Sequence, residues 1–255
     1  MLTRALEIYI AEFVGGIIVS KRSTDIENLN PDHVLSFNYS DTYEKIYGKE
    51  KKIKYDYIHG KANINKNVKT SNLVLGIDEY LNDERKDSEL EFLVFKKFYQ
   101  RVYKSTDNDY LNWIDRIRDE YANYIENKNN MLESYRNSHN SVMKHIYLVS
   151  AKEKIPKHNL YIFGHSLDIT DRDILTTIFS CPNTRVTIFY YDDVIYGNQI
   201  ANLVALLGQD ILLSKVYGKN PSIIFKKQQE HIKTPFAERK GGLISVLIFR
   251  GEARC

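Results

Sequence analysis

The chain has 255 residues, with 43% hydrophobic and 27% charged residues, which is enough for a substantial buried core in one or two domains. Its net charge of +3, from 36 Lys+Arg against 33 Asp+Glu, gives no strong nucleic-acid or anionic-membrane signal. No run reaches the ~18 apolar residues of a membrane span, and the two cysteines, Cys181 and Cys255, form no motif, which fits a reducing, cytoplasmic home.

Residues 2–14 predict a short helix with Leu6, Tyr9, Ile10 and Phe13 on one face, ended by Gly15-Gly16. After a polar stretch closed by Pro31, Val34–Phe37 predicts the first strand. Asp41-Thr42-Tyr43-Glu44 then has the spacing of a capping box, opening a helix that runs to Tyr47 and stops at Gly48. Ile53, Tyr55 and Tyr57 alternate with polar residues in a second strand ending at Ile58-His59-Gly60. Leu73–Ile77 predicts a short buried strand and Asp78–Ser88 a charged loop.

Three amphipathic helices follow with no strand between them. The first spans about 89–103. The second carries Tyr110, Leu111, Ile114, Ile117, Tyr121 and Ile125 on one stripe. The third carries Leu132, Tyr135, Val142, Met143 and Ile146. Strands at Leu160–Phe163, Arg185–Tyr191 and Ser222–Phe225 then alternate with helices from Thr170 and over 193–207. Strands alternating with helices predict a parallel sheet with right-handed crossovers. Lys226–Glu238 is polar and Gly241–Phe249 apolar, a tail that does not continue the pattern and reads as an extra strand, a disordered end or sequence foreign to the domain.

The expected fold class is therefore α/β, an open, mostly parallel, Rossmann-like sheet with a helical insert. Residues 1–88 and 151–226 form the α/β domain, 89–150 the insert, and 227–255 a tail of unassigned status. The insert offers a surface for covering the site or for self-association into a homo-oligomer.

Three predicted strands end in small polar groups: Ser36-Phe37-Asn38-Tyr39, Tyr57-Ile58-His59-Gly60, and Phe163-Gly164-His165-Ser166-Leu167-Asp168. In open α/β sheets that edge binds ligands. The amide of Asn38 offers a donor and an acceptor. The imidazole of His59 can take a proton near neutrality, and Gly60 permits close approach of chain or ligand. Gly164 and Ser166 read as a backbone-and-hydroxyl cradle for ribose or phosphate, with Asp168 beside them. Asp168, Asp171 and Asp173 read equally as turn and cap residues around Thr170. His59 has no companion at metal-ligand spacing, so no metal is expected. No Gly-Lys-Ser/Thr phosphate loop and no Gly-x-Ser-x-Gly elbow are present.

Taken together, Ser36–Tyr39, Asp41–Glu44, Tyr57–Gly60, Leu75-Gly76 and Gly164–Leu167 resemble the bacteriophage abortive-infection AbiH family, over roughly residues 30–190. More distantly they resemble sirtuin-like NAD-binding domains. The resemblance implies antiviral defence and a site that binds, or hydrolyses, NAD or a related nucleotide. Asn38 would match the pocket Asn, His59 the catalytic His, and Gly164 and Ser166 the ribose loop. The alternative it leaves open is a non-catalytic nucleotide sensor or an inactive truncated fragment. It also implies an initial strand with a Gly-Asn-Gly-Phe-Asp type loop. The chain opens on a helix instead, and so is expected to bind a dinucleotide poorly. The Cys-x-x-Cys zinc module of protein-deacylating sirtuins is missing, which speaks against acyl-lysine removal.

Overall fold

A computed structural model describes residues 2–17, 22–48, 52–77, 90–152, 157–229 and 246–251. Six strands among them form one open sheet. β1 (His33–Ser36) pairs in parallel with β2 (Lys54–Tyr57). β3 (His158–Phe163), β4 (Thr184–Tyr190) and β5 (Ile223–Lys227) pair in parallel with one another. β6 (Val246–Gly251) lies antiparallel between β1 and β3, giving the order β2-β1-β6-β3-β4-β5. Five strands thus run one way and one runs against them. The tail supplies a central strand, although 230–245, with most of its polar and apolar runs, and 252–255 lie outside the described residues.

The period-2 pattern explains the two faces. On β1, Leu35 packs on one side with Ile58, Leu160, Ile162 and Ile188, while Val34 packs on the other with Phe163, Phe189 and Val246. Helices α7 (Arg172–Phe179) and α8 (Asp193–Leu207) seal the first face through Ile174, Leu175, Ile178 and Leu203. The short α2 (Thr24–Glu27) and α3 (Thr42–Tyr47) cover the second through Ile26 and Tyr43.

Several expectations are corrected. The first helix is α1 (Leu2–Tyr9), continued by a wider turn over Ile10–Val14. It buries Glu7 and Ile10 while Tyr9 and Phe13 stay exposed. Arg4 Nη1 (3.0 Å) and the Asn63 amide (3.3 Å) satisfy the Glu7 carboxylate, and such pairing is what lets an acid turn inward. The capping box at α3 does not form. Asp41 pairs with Lys45 and Lys61, and Glu44 accepts from Tyr57 Oη and Lys61 Nζ, each at 2.9 Å. Leu73–Ile77 is buried at Leu73 and Val74 but, among the described residues, makes only an isolated bridge from Ile77 to Lys96, so it is extended chain rather than a strand. The charged loop Asp78–Ser88 lies outside the described residues.

The insert is not detached. It comprises α4 (Lys97–Lys104), α5 (Asp109–Asn137) and α6 (Ser141–Lys152). Leu132 and Tyr135 belong to the 29-residue α5, not to the third helix. Tyr110, Trp113, Ile114 and Ile117 of α5 join the main core. The far half of α5 and its partner α6 lie clear of that core, with Val142, Ile146 and Val149 exposed. A helix the periodicity did not separate, α9 (Gln209–Tyr217), follows α8 across Gly208, whose φ of +85° breaks the helix in a single residue. Among the described residues no single helix is long and apolar enough to cross a membrane.

One buried acid ties β2 to α5. Asp56 is fully buried, and its Oδ2 accepts the Tyr110 backbone N–H at 2.8 Å in the first turn of α5. Burial pushes its carboxyl up to about 6, reinforced by the charges of Asp107 and Asp109. The folded state therefore binds this proton more tightly than the unfolded chain. The resulting stabilisation is full below about pH 4 and lost as pH rises through 6. Relative to Asp56→Asn, the wild-type chain is expected to lose about 2–3 kcal/mol between pH 4 and pH 7. Urea midpoints of both chains across that range test it, and parallel pH profiles would contradict it.

Candidate active site

The five co-directed strands bring the C-terminal ends of β1, β2 and β3 to one rim, and β6 enters the sheet at that rim through Val246, which pairs with Ser36 and Phe163. Parallel pairing continues past β2, because the Ile58 N–H donates to the Ser36 carbonyl at 3.2 Å. His59 therefore stands level with the Phe37–Tyr39 segment. The Phe37 ring meets His59 edge-on at 5.7 Å and His165 at 4.2 Å, and the Tyr39 ring lies 6.2 Å from His59. Tyr39 is itself fixed, its hydroxyl donating to the Val74 carbonyl at 2.7 Å.

The centre of the cluster is Asp171, in the 3-10 turn Ile169–Asp171 that precedes α7. His59 Nε2 lies 3.1 Å from its Oδ1, Lys97 Nζ 2.9 Å from the same oxygen, and His165 Nε2 3.6 Å from Oδ2. The first two are hydrogen bonds and the third a looser electrostatic contact. His59, His165 and Asp171 are 4%, 5% and 7% exposed, so their interactions act in a low dielectric. Burial alone would raise the Asp171 carboxyl. The contacts from both imidazoles and the charge of Lys97 outweigh it and hold the group well below the carboxylate range. Burial likewise lowers His59, with Lys97 and Arg101 adding to the fall and Asp171 opposing it, so the ring is neutral at pH 7.

A neutral His59 that donates its Nε2 proton to Asp171 carries a lone pair on Nδ1. That atom is buried and has no hydrogen-bond partner among the described residues.

The residues expected from sequence take distinct places. Asn38 sits half-buried on the rim beside Phe37, its backbone N–H on Ser36 Oγ at 3.2 Å. Gly164 is exposed with φ +62°, and Ser166 is exposed with its carbonyl accepting from Asn202 Nδ2 at 2.9 Å. Asp168 caps the turn, accepting the Thr170 N–H at 2.9 Å, so its carboxylate serves local structure and the cap is Asp168 rather than Thr170. Gly60 packs closely against its own chain. At φ +81°, a Cβ there would stand 2.2 Å from the Asn72 carbonyl oxygen, in the strand-like stretch that hydrogen-bonds His59 through Val74.

The sequence leaves Asp171 and Asp173 open between site and cap roles and gives no sign of Lys97 or of Arg101, whose pairing with Asp173 anchors α4 beside the cluster. His165 stands out in the sequence only as part of its motif. An acid six residues after His165 in the same rim loop is a readable signal for Asp171. Lys97 is 74 residues from its partner and has no local signature. Among the described residues no cluster of three or more His, Cys, Asp or Glu is arranged to hold a metal ion.

A family model described as "Bacteriophage abortive infection AbiH" matches residues 1–192, which include β1 to β4 and every residue of this cluster. No curated protein and no solved structure matches the chain. The family match spans well over half of the sequence: the chain belongs to the AbiH family, and its function lies in abortive infection, a form of antiviral defence.

Proposed function

We propose that the rim binds a nucleotide of the NAD class in a Rossmann-like crevice and that His59 is the base acting on it. The observation that carries this reading is the unpartnered Nδ1 of a neutral, carboxylate-oriented imidazole. Strand order supports it as well. β1 leads outward to β2 and β3 leads the other way to β4 and β5, so the parallel order reverses on either side of β6, and ligands of open α/β sheets bind at such reversals. Leu167, a fully buried non-glycine residue at φ +60°, holds the β3 loop in a conformation that costs energy, as strained loops at ligand sites do.

The residues fit the nucleoside end of such a substrate. Gly164 and the Ser166 hydroxyl present exposed backbone and one polar group to a ribose, and Asn38 supplies an amide to orient a ribose hydroxyl or a water. The described lysines nearest the rim, Lys97 and Lys61, are matched by Asp171, Asp41 and Glu44. In the hydrolysis this reading implies, the bond from ribose C1′ to the nicotinamide nitrogen breaks and its electron pair leaves with nicotinamide. A water oxygen bonds to C1′ and its proton is released. His59 Nδ1 draws the proton of a ribose hydroxyl, which raises electron density on the sugar as positive charge develops at C1′. Positioning and electrostatics supply most of the acceleration.

The depth of the imidazoles favours a second reading, a sensor that binds without turnover, because His59 at 4% exposure reaches ligand only if the rim opens. Incubating the protein with NAD and following nicotinamide by chromatography, alongside calorimetric titration with NAD, ADP-ribose and ATP, separates the two. Nicotinamide release supports hydrolysis, binding without release supports the sensor, and failure of all three ligands to bind overturns both.

A further inference from the structure

We propose that Asp171 is the positioning residue of His59, fixing the tautomer that leaves Nδ1 as the proton acceptor, and that His165 holds Asp171 in place for that task. The role of the acceptor rests on the proposed function; the positioning does not.

The geometry allows one arrangement of protons. The Leu167 N–H donates to His165 Nδ1 at 2.8 Å, so a neutral His165 carries its proton on Nε2, which faces Asp171 Oδ2. The donor is a backbone group of Leu167, a fully buried residue in the left-handed region at φ +60°. Gln199 Nε2 secures the same loop by donating to the His165 carbonyl at 3.1 Å and to the Phe189 carbonyl of β4 at 3.3 Å. Oδ1 meanwhile accepts from both Lys97 Nζ and His59 Nε2. With two donors on Oδ1 and the His165 ring in looser electrostatic contact with Oδ2, rotation of the carboxylate would break the Oδ1 contacts.

His59 then has one low-energy form, with its hydrogen on Nε2. When Nδ1 takes a proton, the imidazolium keeps its Nε2–H on Asp171 and the carboxylate stays ionised. The charged groups facing His59 act in both directions: Asp171 favours the protonated ring, while Lys97 and Arg101 from α4 oppose it. Tyr39, the titratable ring neighbour, donates its hydroxyl to the Val74 carbonyl and stays neutral, its own ionisation pushed up to about 12 by burial. The helical insert thus contributes to the balance at the base through Lys97 and Arg101.

The test is long-range 1H–15N NMR of the histidine side chains in the full chain, without ligand. In wild type, His59 should show Nε2 protonated and Nδ1 unprotonated at pH 7, and the reverse pattern would overturn the proposal with no variant needed. In Asp171→Asn, the single tautomer should give way to a mixture, with the His59 titration midpoint lowered; Lys97→Met should raise that midpoint. A purely structural Asp171 would leave the tautomer and the midpoint where they were and change only the melting temperature, which would overturn the assignment. Where NAD turnover is present, Asp171→Asn should reduce kcat by roughly 100-fold or more with little change in KM. Where turnover is absent, the NMR result still decides the positioning role.

Discussion

Under the hydrolysis proposed above, His59→Ala and His59→Gln chains are expected to fold, yet to lose nicotinamide release by roughly 100- to 10,000-fold, the range a positioned general base supplies. The two substitutions remove the same atom, Nδ1, but leave different remnants. In His59→Ala, Oδ1 of Asp171 keeps Lys97 as a donor, so no unpaired buried charge is created. The loss of stability should then be limited to the vacated volume and one hydrogen bond, about 1–3 kcal/mol. In His59→Gln, the side-chain amide can still donate to Asp171, and only the base is gone. Equal loss of turnover in both, with near-normal stability in the glutamine chain, identifies Nδ1 as the group that matters. Undiminished turnover in both removes His59 from the mechanism. The pH profile supplies an independent check. A base must be unprotonated to act, and burial lowers the His59 ionisation. The rate plateau should therefore extend to lower pH than an ordinary imidazole allows, falling only on further acidification, and Lys97→Met should shift that fall upward.

The parts of this site that were legible in the sequence are those built by local rules. Val34–Phe37, Leu160–Phe163 and the helix over 193–207 were readable because alternation and helical spacing reflect which face is buried. The strand ends carrying Asn38, His59 and Gly164 followed from those strands, and a common direction for β1, β2 and β3 was enough to gather them on one rim. What escaped was decided by contacts distant in sequence. Glu44 has the spacing of a capping residue, yet Tyr57 and Lys61 from the β2 arm claim its carboxylate. Glu7 sits where an apolar stripe would put a solvent-facing residue, yet Asn63 and Arg4 make its burial tolerable. Asp171 looks like a helix-start acid, and only the fold shows two imidazoles and a lysine turned on it. The apolar tail gave no sign of its place either. Its partners β1 and β3 lie more than eighty residues upstream, and nothing in its own composition says that it would run antiparallel between them.

Gly60→Ala is expected to be among the most damaging single-methyl changes in the chain, and Gly208→Ala provides the comparison that explains why. Both glycines have φ near +80°, a region that side-chain-bearing residues enter at a cost of order 1–3 kcal/mol. At Gly208, between α8 and α9, an added Cβ meets nothing within 4 Å, so that strain is the whole effect. At Gly60 the same strain is joined by a Cβ placed 2.2 Å from the Asn72 carbonyl oxygen and 2.6 Å from its carbon. These are backbone atoms and cannot swing aside. Relief requires moving the 71–74 stretch, which is held by the Val74 N–H donating to the His59 carbonyl at 2.9 Å and by the Tyr39 hydroxyl on the Val74 carbonyl. Leu73 and Val74 are fully buried, so the shift also opens the core. Gly60→Ala should therefore cost at least ~2 kcal/mol more than Gly208→Ala in urea unfolding, the scale of a core disruption. It should also disturb the ring resonances of His59 and Tyr39, which Gly208→Ala should leave unchanged. Similar costs for the two substitutions would mean that the 71–74 stretch does not press on the end of β2, and with it would go the account of how His59 is held beneath the rim.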